Sequence, residues 1–225
     1  MYKRQVRLQK VFCLLALIAS ALVFVYSRGL VTDRYDALYY AMYNPKNHLD
    51  SNVTGAVIFY DIQPFNNHLM LAGLGLIILS LGLYVTQTHN RRRYYIGNYI
   101  ATGIWVVAAL AVAGWSHYWA EFYKHQFQTT VNFQELAEYA KGGTLLLTRD
   151  STFWFDIHYA VSGVLVVMAV VLVANVCWKV SLMKQEAALL AGAPVEAKAK
   201  IQSYPAKKIM RPLAQSLRGR RQYHE

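Results

Sequence analysis

The chain has 225 residues, 56% of them apolar and 16% charged, with a formal net charge of +11. So little charge is unusual for a soluble domain, and no nucleophile elbow, phosphate-binding loop or acid pair marks a soluble enzyme. The basic excess carries no nucleic-acid motif and flanks apolar runs; attraction to anionic lipid heads accounts for it, and nucleic acid is excluded as a partner.

Residues 1–10, "MYKRQVRLQK", form a basic tail, and residues 11–26 are the first apolar run. A cleaved signal would have an apolar core of about 7–15 residues. This run is longer, so a retained first span is expected. Residues 27–67 form a long connection. Within it "DRYDALYYAMYNP" (33–45) reads as a short helix, with Asp33 as N-cap and a stop at Asn44–Pro45. Its tyrosines suit either a membrane interface or a docked partner. Asn52 begins an N-V-T glycosylation acceptor. The second span covers 68–88, with an extra turn if its helix starts at Pro64, a residue suited to a first helical position.

A short basic loop follows at 89–97, containing Arg91, Arg92 and Arg93, and the third span covers 98–118. The second long connection, 119–152, holds a short helix over Asn132–Lys141 closed by Gly142 and Gly143; "TLLL" (144–147) after it reads as extended. The fourth span covers 153–178. Its helix continues over Lys184–Ala191 into a basic tail (179–225), which Gly192 and Pro194 break. Each apolar run lies near the ~20 residues that cross a hydrocarbon layer of about 30 Å. Most of the five tryptophans fall at the ends of runs, as interfacial rings do; Trp105 lies within its span and reads as packing.

Charge placement sets the orientation. The two tails and the arginine loop hold 17 of the 23 Lys and Arg but three of the 12 acids; the long connections, with Asp156, hold the rest. One side therefore carries +14 and the other −3. Basic loops stay in the cytoplasm. The expected fold is an all-α integral membrane protein, a four-transmembrane-helix bundle in the plasma (inner) membrane with both termini cytoplasmic. Cys13 and Cys177 then lie at cytoplasmic ends, where thiols stay reduced, and without a C-x-x-C they do not build a disulfide-exchange site.

Four of the seven histidines, His48, His89, His125 and His224, fall in loops or the tail. The other three sit at the outer ends of spans: His68 opens the second, His117 closes the third and His158 opens the fourth. Helical spacing puts Ala72, Gly75 and Gly82 on the face of His68, Gly114, Ala113 and Gly103 on that of His117, and Ser162 on that of His158, with Gly163 beside it. Small residues mark faces where helices or a flat cofactor approach closely. All three imidazoles are therefore expected to look into the bundle, where an ionisable group is a functional candidate. Alternatively His68, His117 and His158, with Asp156 as a further candidate, could form a small metal site in which His68 and His158 lead, since imidazole suits copper, zinc and iron. Asp156, two residues from His158, cannot share its face and reads as a capping or interfacial residue. Asn175 and Thr102 read as polar glue between helices.

The second and fourth spans open alike, "HLMLAG" (His68, Gly73) and "HYAVSG" (His158, Gly163). With this topology the chain resembles the four-helix membrane cytochrome b subunits of formate dehydrogenases and membrane-bound nickel–iron hydrogenases. The resemblance implies one haem b near the outer face, with His68 and His158 as axial ligands and His117 beside a propionate or a quinol. The family's second haem needs histidines on the first helix and deep in the fourth, which this chain lacks. Two functions are expected: a single-haem electron-transfer subunit, or a non-catalytic scaffold or assembly subunit of a larger membrane complex. Either would meet the lipid bilayer, and larger protein subunits through the outer loops and the basic C-terminal tail. A transporter is the weaker expectation, because no broken helix or mid-membrane charge is evident.

Overall fold

The computed structural model describes residues 2–29, 52–88, 96–141 and 152–191, and their regular structure is entirely helical. The segments read as a helix at 33–45 and as extended at 144–147 lie outside the described residues. So do His48, His89, His224, the arginine loop, Gly142, Gly143 and the tail from 192. The chain divides into two units, Met1–Trp178 and Lys179–Glu225; in the second, residues 179–191 are helical.

Among the described residues six helices follow in order: α1 Tyr2–Gly29, α2 Ile58–Asp61, α3 Gln63–Thr88, α4 Ile96–Thr130, α5 Phe133–Lys141 and α6 Phe153–Ala191. Among them α1, α3, α4 and α6 are long and apolar enough to cross a membrane. All four outrun the apolar runs. The basic tail joins α1, and Pro64 sits in the first turn of α3, where its missing N–H goes unneeded. The largest departure is α4. Residues 119–130, expected as loop, extend it to 35 residues, or about 52 Å. No Gly or Pro interrupts that stretch, and Ala120, Tyr123 and Phe127 carry its buried stripe onward. The short helix expected from Asn132 begins at Phe133; Asn132 Oδ1 caps it by accepting the N–H of Gln134 at 3.1 Å and of Glu135 at 3.3 Å.

Buried positions recur at steps of three and four. On α1 they are Gln5, Gln9, Cys13, Ala16, Ser20 and Val23; on α3 they are Leu69, Gly73, Leu76, Ser80, Leu83 and Gln87. This is the seam of a bundle with small crossing angles. Cross-helix contacts place the long helices in a ring. Ser20 meets Ser80 (α1–α3), Trp105 meets Ser80 (α4–α3), His117 meets His158 (α4–α6), and Tyr26 meets His158 (α1–α6). Consequently α3 and α6 are diagonal. α3 and α1 approach closely at Gly73, where a Cβ would lie 2.8 Å from the Phe24 backbone nitrogen.

At the histidine end, residues 53–62 are clamped onto the end of α4. Gly55 has φ +81°, and its backbone lies against the Thr130 carbonyl. The Asn132 N–H donates to Thr54 O at 2.9 Å, the Thr54 N–H to Glu135 Oε2 at 2.8 Å, and Tyr123 Oη to the Asp61 carbonyl at 2.8 Å. The Thr54 N–H holds the Glu135 carboxyl below its ordinary value.

Candidate functional site

The fourth span's first turns set the site. Asp156 on α6 accepts the Thr152 hydroxyl at 2.9 Å and pairs with Lys124 of α4 at 2.9 Å. Two residues on, His158 turns inward and is 1% exposed. Its Nε2 shares a hydrogen bond of 2.9 Å with Ser162 Oγ one turn below. Its Nδ1 is buried without a hydrogen-bond partner. The ring lies 5.7 Å from that of Tyr26 and 6.5 Å from that of His117, to which it is nearly parallel at 14°. His117 is exposed and also meets Tyr159 at 5.6 Å, while Lys124 lies 5.1 Å over the Tyr159 ring. In the tautomer whose Nε2–H donates to Ser162, Nδ1 keeps a lone pair that can bind a proton or a metal; in the other tautomer Nδ1 is an unpaired N–H.

His68 has different surroundings. It is exposed on the outside of the bundle, with its ring 6.5 Å from that of Trp115. The two residues overlook a crevice of about 500 Å³ lined also by Ala72, Ala111 and Val112. The structure thus brings His117 and His158 together and leaves His68 apart from them. Among the described residues, no group of three or more His, Cys, Asp or Glu is arranged to hold a metal ion.

The expectation that small residues mark the inward faces of all three histidines needs correction. A Cβ on Gly75, Gly82, Gly103, Gly114 or Gly163 would meet nothing within 4 Å. Only Gly73 among the span glycines marks a close helix contact, and it lies between α3 and α1. "HLMLAG" and "HYAVSG" are therefore not equivalent: their histidines and their glycines face unlike surroundings. Thr102 is corrected as well, since its hydroxyl donates to the Asn98 carbonyl on its own helix at 2.7 Å. His125, expected in a loop, lies on α4.

Sequence reasoning missed most of the buried polar residues. At the end away from the histidines, Asn175 of α6 donates to Gln9 and accepts from Gln5 at 3.4 Å, both on α1. Gln9 reaches Asn98 of α4 at 3.5 Å, and Asn98 reaches Thr86 of α3 at 3.5 Å. All four long helices are so joined. Midway, Trp105 Nε1 donates to Ser80 Oγ at 2.7 Å, and Ser80 shares a hydrogen bond with Ser20 at 2.9 Å. The available signal was register: Gln5 and Gln9 lie on the stripe of Cys13, Ala16 and Ser20, a continuation hidden by the neighbouring basic residues. Comparison with known proteins finds no family model that matches the chain, no similar curated protein and no similar solved structure.

Proposed function

We propose that the chain is a multi-pass plasma-membrane protein with both termini cytoplasmic, acting as a non-catalytic scaffold or assembly subunit of a larger membrane complex. One observation carries this reading. α4 exceeds the ~30 Å of a hydrocarbon layer by about 20 Å, and its last turns are braced by residues 53–62 and by α5 through the Thr54, Asn132, Glu135 and Tyr123 hydrogen bonds. A helix stiffened beyond the bilayer is a platform for another subunit. The charge division supports the orientation, and the polar side chains inside the bundle serve as struts between helices.

Photo-cross-linkers at Gln128 and Gln134, both exposed on the platform, test the role in native membranes. One reproducible adduct, together with migration in native gels well above the chain's own 25.6 kDa, is the expected result. A chain that migrates alone contradicts it.

A second reading, the single-haem b-type electron-transfer subunit, draws support from the unpartnered Nδ1 of buried His158. Reduced-minus-oxidised spectra decide between the two. A sharp b-type band that disappears in both His68→Ala and His158→Ala replaces the scaffold with the cytochrome.

A further inference from the structure

Two hollows lie one above the other along the seam between α3 and α4. The upper cleft, about 460 Å³, is lined by Tyr60, Asp61, Pro64, Phe122, Tyr123 and Gln126. The lower is the crevice of His68, Ala72, Ala111, Val112 and Trp115. Phe65 stands between them, its ring 5.7 Å from Tyr123 of the upper hollow and 5.5 Å from Trp115 of the lower. His68 of α3 follows Asp61, the last residue of α2, by seven residues, and on α4 Trp115 precedes Phe122 by seven. Seven residues of helix rise about 10 Å, comparable to the ~5–8 Å of one headgroup layer.

The upper cleft combines aromatic side chains with a carboxylate. Asp61 has no ion-pair partner among the described residues, and its carbonyl is tied to Tyr123 of α4, which fixes that part of the wall. Aromatic faces and an open carboxylate together complement an ammonium group; the same carboxylate repels an anionic head. In the lower crevice, Ala72 and Ala111 leave room on an otherwise bulky apolar surface. The imidazole of His68 and the indole of Trp115 bring N–H groups to its lining.

We propose that this seam holds one phospholipid with an ammonium headgroup, ethanolamine or choline, its nitrogen in the upper cleft and the start of an acyl chain in the lower crevice. The site rests on the membrane-spanning part of the preceding reading and is independent of the scaffold role.

Native mass spectrometry of the full chain, titrated with phosphatidylethanolamine, phosphatidylcholine or phosphatidylglycerol, tests it. One bound ethanolamine or choline lipid is expected, preferred over phosphatidylglycerol by about five- to tenfold. Asp61→Asn, on an exposed residue, should bring that preference to within about twofold, and Phe122→Leu should lower it while keeping an apolar side chain. Ala72→Phe should exclude the lipid outright. Equal retention of phosphatidylglycerol, a preference unchanged in Asp61→Asn, or a protein cross-link at Phe122 in place of lipid overturns the site. Release of the chain from membranes by carbonate instead overturns the membrane-spanning reading beneath it.

Discussion

Ser80 shows how much depends on a single hydroxyl. It accepts the Trp105 N–H and shares a hydrogen bond with Ser20, so α4, α3 and α1 meet at one oxygen. Replacing it by alanine leaves a fully buried indole N–H without its acceptor. Ser80→Ala should lower unfolding stability in detergent by about 1 kcal/mol, the usual scale for interhelical hydrogen bonds in membranes. In the Trp105→Phe background the same change should cost much less, and a double-mutant cycle of thermal unfolding measures the difference. Trp105 was legible in the sequence as packing. Its polar end was not, because a serine on an apolar helix reads as filler until its cross-helix neighbour is known. The same limit hid Gln5 and Gln9, whose basic neighbours suggested a solvated tail.

At the scale of elements, the four long helices were legible from length and hydropathy, and their limits were not. An apolar run records where lipid begins and ends, whereas a helix continues as long as its backbone is unbroken and one face has something to cover. That is why α4 runs to Thr130. The glycines misled for a related reason: spacing gives a face but not what it faces. Gly73→Ala should destabilise the bundle by about 1–3 kcal/mol, because the added methyl meets the Phe24 backbone. Gly163→Ala, with open space around it, should be neutral or slightly stabilising; chemical denaturation of both variants checks the contrast. The clamp on α4 carries its own pH dependence. The Glu135 carboxyl is depressed by the Thr54 N–H it accepts, so its contribution is present above the ordinary value of 4.5 and is lost as pH falls through the lower folded value. Amide exchange at Thr54 should therefore be slower than in Glu135→Gln at neutral pH, and the two should converge in acid.

For the molecule as a whole, the charge division makes the most direct forecast. Alkaline phosphatase fused after Asn52 or Lys141 should be active, and after Arg92 or Glu225 inactive, with fluorescent-protein fusions giving the opposite pattern; activity at Glu225 would reverse the orientation. The candidate site was partly legible, since a chain this apolar makes any histidine on a span conspicuous. Which of them meet was not, because pairing is decided by helix rotation, and the seam of small and polar residues sets that rotation. The bond between Asn175 and Gln9 ties the last long helix to the first. Until synthesis has passed that asparagine, the glutamines of α1 lack a partner that only the final span provides. Chains stopped short of it should linger as open three-helix forms, with amides presented to lipid, and should be degraded faster than the full-length protein in pulse-chase labelling. Closure of the ring would then be a checkpoint that a growing chain passes only near its end.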